Sequence, residues 1–386
     1  MLKTLWMGSL LLATPAGLGG AAVTTPPSLM VTTAAPPPAP VAAPLRAPAP
    51  AAATAHVDAP EPQAAPVRVV ATLPVYASLV REIGGDEVEV SAIANPNEDA
   101  HFVRPKPSFA LDLRRADMFV TTGLDLELWV PTLLDRAGNQ AVLEGGRGYV
   151  TAYTGIELLD IPAAADRSGG DVHIYGNPHL TTDPLRTLQV ARNITTGLRR
   201  VAPDRAAHWD AGLARFTDQI HRRTFGDRLV DMLGGPTLEQ MTLNGTLFDF
   251  LEREEFEGSP LIDALGGWLA EAEPFRGRQM ICYHKNWAYF EERFQVRCAE
   301  FVEAKPGIPP TPGHVAQLIQ RMRAEDLDVL LGATYFDRSK LESVADRGGA
   351  TLVTVPLAPG VRRGVDDYFA LVDMWVEELA RAFASS

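Results

Sequence analysis

The chain is short of basic charge, of long apolar runs and of cysteine, and each shortage narrows what it can be. Lysine and arginine total 35 against 48 aspartates and glutamates, for a formal net charge of −13. Nucleic-acid binding needs a basic surface, which this balance argues against. Beyond the N-terminus no apolar run reaches the ~18 residues a membrane helix requires, so the mature chain is expected to be soluble. The only cysteines are Cys282 and Cys298. Neither lies near the N-terminus, which argues against a lipid-anchored lipoprotein. Both fall in strand-like runs separated by one helix-like stretch. They could pair across adjacent parallel strands in an oxidising compartment, or remain two buried thiols.

At the N-terminus, Met1-Leu2-Lys3 gives a short positive start, Leu5 to Leu18 is mostly apolar, and Gly19-Gly20-Ala21-Ala22 offers small residues for cleavage. This reads as an export signal over residues 1–22, and it sets the expected location as periplasmic or otherwise extracytoplasmic. Residues 23–66 are dominated by Ala, Pro, Val and Thr. Such a segment has little to pack, leans towards polyproline conformation and reads as a disordered spacer.

From Val67 onward strand-like and helix-like runs alternate, the signature of a parallel sheet covered by helices. Val67 to Leu73, Val88 to Ala94 and Met118 to Thr122 read as strands of an N-terminal α/β lobe over 67–182. Residues 183–222 read as a connecting helical segment, with Thr182 as N-cap and Pro203 interrupting it, so that one broken helix or two would fit. Glycine and proline punctuate 223–275 into short helical pieces. The rhythm then resumes over 276–386 as a C-terminal α/β lobe, with strands at Gln279 to Tyr283, Val296 to Val302, Leu327 to Leu331 and Thr351 to Leu357.

Three of the eight histidines stand where a strand-like run gives way to a loop or helix: His101, His179 and His284. Ligand sites in parallel α/β sheets lie beyond the carboxyl ends of strands. Neutral imidazole is the commonest metal ligand, and three with one further oxygen suit tetrahedral zinc. Their wide separation in sequence rules out a local zinc-finger spacing and calls for a cleft that gathers distant loops. His56 lies in the spacer, and His208, His221 and His314 lie on helical stretches, where a structural or solvated role suffices. His173 is marginal and reads as a bystander. Glu303, after a strand, suits either a hydrogen bond to a ligand histidine or a salt bridge at the cleft rim.

Several segments, in this order, resemble the zinc/manganese-type (TroA-like, cluster A-I) solute-binding proteins of bacterial ABC importers. They are the acidic loop to His101 followed by Lys106-Pro107-Ser108, Asn177-Pro178-His179 with Asp183-Pro184, Tyr283-His284 with Tyr289-Phe290, Lys305-Pro306-Gly307, and Tyr335-Phe336-Asp337. The resemblance covers residues 67–386. It implies two three-layer α/β lobes with parallel sheets, joined by a long connecting helix, with a metal site in the interlobe cleft. It also implies a monomer that binds no nucleic acid, catalyses nothing, captures a divalent metal ion outside the inner membrane and delivers it to an ABC permease. Carried over by position, His101, His179 and His284 are metal ligands, and three imidazoles favour zinc over manganese as the transported ion. Affinity should then fall as pH drops through the imidazole range near ~6.5.

The chain departs from that pattern twice. The stretch from about Leu158 to Asn177, where zinc-specific members carry a histidine-rich loop, has only His173. The region after the last strand, Val355-Pro356-Leu357-Ala358-Pro359-Gly360, has no acid to serve as fourth ligand. Candidates for that role are Asp337, Asp366, Asp367, Glu98, Asp99 or water, and Asp337 is preferred because it follows a strand end. Other readings are a surface adhesin or interaction protein, a periplasmic metal chaperone, and a zinc-dependent hydrolase with an activated water in the fourth position.

Overall fold

The computed structural model describes Ala35 and residues 65–162, 173–303 and 307–385. The expected export signal, nearly all of the 23–66 spacer, and Lys305 and Pro306 lie outside the described residues. Pro62–Ser386 form one compact unit.

Two parallel four-stranded sheets organise that unit. The first comprises β1 (Val67–Ala71), β2 (Val88–Ala92), β3 (Met118–Thr121) and β4 (Tyr149–Thr151), ordered β2-β1-β3-β4. β5 (Glu255–Phe256) and β6 (Ser259–Pro260) form a small antiparallel ribbon. The second sheet comprises β7 (Gln279–Cys282), β8 (Arg297–Phe301), β9 (Val329–Ala333) and β10 (Thr351–Val355), ordered β10-β9-β7-β8. Central strands covered on both faces should be continuously apolar. Accordingly β3 and β9 are buried at every residue, whereas edge strand β2 is only partly buried. β4 has no counterpart among the strands expected from sequence. Three residues give too short a pattern to separate from a loop.

The connecting segment is two helices, Pro184–Val201 and Ala206–Phe225, with Pro203 at the break. The first is capped by the Asp183 side chain, which accepts from the Leu185 amide, with Pro184 at the first helical position. The cap is therefore one residue later than expected. Thr182 instead donates its hydroxyl to the His179 carbonyl at 2.9 Å. The second helix, 20 residues long and so ~30 Å, packs on Pro74–Gly84 of the first lobe. It also packs on Gly267–Glu271, which lies against the final helix Tyr368–Ala384. Gly212 permits the first contact, because a Cβ there would lie 2.0 Å from the Ile83 carbonyl oxygen. Cys282 and Cys298 form a disulfide between neighbouring strands β7 and β8, with Cα atoms 5.5 Å apart.

Candidate metal centre

Two of the histidines follow strands of the sheets and the third stands at a helix start. His101 lies in the 3-10 turn Ala100–Phe102 after β2, and His284 lies two residues beyond β7. His179 caps the 3-10 turn Leu180–Thr182, which leads into the Pro184–Val201 helix. The fold brings the three together, with one ligand atom from each lying within 4.8 Å of the others. The loops are braced across the cleft. Asn177 accepts from the His179 amide through Oδ1 and donates through Nδ2 to the Lys285 carbonyl at 3.1 Å. The Tyr289 hydroxyl donates to the Asn177 carbonyl at 2.6 Å, and the Thr334 hydroxyl donates to Asn97 Oδ1 at 2.6 Å. These bonds fix an imidazole set between two lobes.

In two of the three, Nδ1 is held by a carboxylate. Asp99 accepts from His101 Nδ1 at 2.6 Å and from the His101 amide at 3.0 Å. Glu303, two residues beyond β8, meets His284 Nδ1 at 3.1 Å. Of the two roles open to Glu303 in the sequence, the structure shows the hydrogen bond to a histidine. A carboxylate only accepts, so each Nδ1 carries the proton and each Nε2 presents a lone pair, the arrangement that orients metal-ligating imidazoles. Burial pushes the Asp99 carboxyl up, but its hydrogen bonds with His101 outweigh that and hold Asp99 below the usual range. His179 Nε2 is buried without any hydrogen-bond partner. A buried polar atom costs free energy unless satisfied, so this nitrogen has an opening for a ligand. Burial, then the neighbouring imidazoles, hold His179 well below the ordinary histidine range. Protons therefore compete for this nitrogen only at pH lower than ~6.5.

His173, read from sequence as a bystander, stands at the edge of this cluster, against His101 but outside the three whose ligand atoms lie within 4.8 Å of one another. Its Nε2 is 3.0 Å from His101 Nε2 and its Nδ1 is 3.0 Å from Asp125 Oδ1. Burial and the proximity of His101 push it down to about 4, against the opposing pull of Asp125. Asp337 lies elsewhere. Its carboxylate caps the Arg338–Gly348 helix, accepting from the Ser339 amide at 3.0 Å and hydroxyl at 2.8 Å, and its side chain is 51% exposed. The expectation that it joins the histidines is corrected on that ground: a strand-end acid serves equally well as an N-cap. Asp367 likewise caps the final helix, and Glu98 bonds to Asn95. Asp125 had no signal in the sequence. It comes directly after Gly123 and Leu124 in a run of three residues with positive φ.

Two parallel α/β lobes with a histidine cluster between them define a class of cleft-binding protein. A family model described as "Zinc-uptake complex component A periplasmic" (ZnuA) matches residues 69–224 and 262–382, most of the chain. The chain belongs to that family. It is 22% identical over 253 residues to the zinc-binding lipoprotein AdcA of Streptococcus pneumoniae, a match spanning 62% of this chain and 48% of that protein. The chain thus spans about half of that relative's length. It is also 22% identical to the iron-binding protein YfeA of Yersinia pestis, covering 82% of this chain and 86% of YfeA. Identity is again 22% with the manganese ABC transporter substrate-binding lipoprotein PsaA of Streptococcus mitis, covering 82% and 89%. The crystal structure of ZnuA superposes with a TM-score of 0.60 at 20% identity, covering 82% of this chain and 99% of that one. A manganese-bound periplasmic metal-binding protein from Candidatus Liberibacter asiaticus superposes with a TM-score of 0.58 at 14% identity, with the same coverage. Among the described residues, no helix is long and apolar enough to cross a membrane.

Proposed function

We propose that this protein captures a divalent metal ion outside the inner membrane, zinc in preference to manganese or iron, and hands it to an ABC permease. The observation that carries the reading is the convergence of His101, His179 and His284 within 4.8 Å. Relatives at similar identity are named for zinc, manganese and iron, so their names do not choose the ion, and support for zinc comes from the donor set. Imidazole nitrogen suits zinc, whereas manganese favours carboxylate and water oxygen. The carboxylates beside the cluster are turned onto imidazole Nδ1 atoms, away from the role of oxygen ligands. The same use leaves them poorly placed as a general base, which supports binding rather than hydrolysis. The protein acts in this reading as a monomer, with the site residues being the three histidines.

The test is calorimetric titration of the metal-free protein with zinc and with manganese, alongside a variant with His101, His179 and His284 all changed to alanine. The expected outcome is one tight zinc site, weaker manganese binding, and loss of the site in the variant. Zinc at 100 times its Kd should also raise unfolding free energy by ~2.7 kcal/mol through mass action. Absence of tight binding by the intact protein would overturn capture and favour a surface-interaction role. Zinc-dependent ester hydrolysis would favour an enzyme.

A further inference from the structure

We infer that His173 is a fourth protein ligand of the captured ion, with Asp125 as its positioning residue, so that the site closes around zinc with four imidazoles and no water. The inference rests on the capture reading and sharpens it. Its first support is geometric. Asp99 meets His101 Nδ1 and Asp125 meets His173 Nδ1. Each ring is thereby turned with its Nε2 towards the other, and the two Nε2 atoms lie 3.0 Å apart. Zinc–nitrogen bonds of ~2.0–2.1 Å in a tetrahedron place ligand nitrogens roughly 3.3 Å apart, close to the separation found.

The second support is repetition. His101 has Asp99, His284 has Glu303, and His173 has Asp125 in the same relation to Nδ1. A bystander has no need of the carboxylate that orients a ligand. The side chains of His173 and Asp125 are 13% and 6% exposed, so this is a built contact rather than a surface encounter. The third support is the backbone around Asp125. Leu124 and Asp125 have φ of 59° and 62°, directly after Gly123 at 79°. Non-glycine residues rarely hold this conformation, and here it turns the Asp125 carboxylate towards His173. The buried, unpartnered Nε2 of His179 completes the cluster that would receive the ion.

A closed four-imidazole shell has two consequences. It raises selectivity for zinc over oxygen-seeking manganese. It also removes the open position that catalytic zinc requires. The experiment is zinc K-edge X-ray absorption on the intact protein, with Co(II) substitution as an optical probe, repeated on His173→Ala, His173→Gln and Asp125→Asn. The wild type should show four imidazoles. Both His173 variants should show three imidazoles and an oxygen, with a changed cobalt spectrum and zinc affinity lowered by about 100-fold, while manganese affinity changes little. Asp125→Asn should keep four imidazoles and lower zinc affinity by ~10-fold, the lower end for loss of an orienting carboxylate. Three imidazoles in the wild type, or an unchanged cobalt spectrum in both His173 variants, would overturn the fourth-ligand assignment and leave capture by His101, His179 and His284 standing. Failure of the intact protein to bind zinc tightly would overturn both.

Discussion

Two of the places where the lobes meet lie a few residues apart in sequence and are built oppositely. At the histidine cleft, His101 and His173 meet only through their Nε2 atoms and the buried His179 Nε2 has no partner. Four residues on, Asp183 is saturated. Its Oδ1 accepts from the Leu185 amide at 2.9 Å and from Arg293 Nε at 2.8 Å. Its Oδ2 accepts from Arg186 Nη1 and Arg293 Nη2, each at 2.8 Å. Arg186 continues to Glu292 at 3.0 Å and lies over the Tyr289 ring. A carboxylate has about four acceptor positions, and Asp183 uses them all. One junction is complete as it stands; the other is completed by a cation in the proposed reading. The first would then hold the lobes while the second takes its ion, which suits a binder with small closure.

Breaking the complete junction should have the largest effect on stability. Asp183→Asn leaves Arg293 buried without its counter-charge, and removing one partner of a buried pair costs ~3–5 kcal/mol. Urea unfolding of the metal-free protein at neutral pH would show it. The pH dependence has a definite sign. Burial pushes the Asp183 carboxyl up, but Arg293 and then Arg186 outweigh burial and hold it below the ordinary range. Its contribution is present above the unfolded value near ~3.9 and is lost as pH falls through the depressed folded value. The gap between wild type and variant should therefore narrow below about pH 4. A gap unchanged down to acid pH would show that Asp183 acts by packing, not charge.

Disturbing the incomplete junction should do the reverse. Glu303→Gln keeps an acceptor near His284 Nδ1 but removes the charge that makes the imidazole a better donor to metal. Zinc affinity should drop ~10-fold, at the low end for such partners, while metal-free stability changes little. Titration and urea unfolding on the same preparation check both halves. A large stability loss with unchanged affinity would make Glu303 a strut like Asp183 and erase the contrast.

Elements set by simple periodicity are legible in the sequence, and those that depend on loop conformation are not. β3 and β9 are legible as continuous apolar runs of covered parallel strands, and β1 and β7 because only Arg68 and Gln279 break theirs. His284 is legible because it follows such a run, and His101 because its loop follows the strand-like β2. His179 is marked by Asn177-Pro178 before it and by the helix start after it, where the connecting segment begins. β4 is hidden by its length, three residues. Asp125 is hidden because nothing in Gly123-Leu124-Asp125 announces three successive positive φ angles. His173 is hidden with it, since a histidine gains meaning only from the carboxylate behind it, here 48 residues away in sequence. Thr182 suits the helix cap by residue type, but Asp183 competes for the position and also meets two arginines.

Asp337 marks the limit of reading ligands from strand ends, and its variant should have the smallest effect. It occupies the position the sequence favours for a fourth ligand, yet its oxygens bond to the Ser339 amide and hydroxyl, with Lys340 3.9 Å away. Both roles demand an exposed oxygen just past a strand, so sequence alone does not separate them; only the direction of the side chain does. Asp337→Ala should lower stability only slightly, through loss of an N-cap, and leave zinc affinity and the count of imidazoles in the metal shell unchanged. A tenfold loss of zinc affinity in this variant, against unaltered binding by His173→Ala, would return the fourth position to a carboxylate and reverse the preference for zinc that four imidazoles impose.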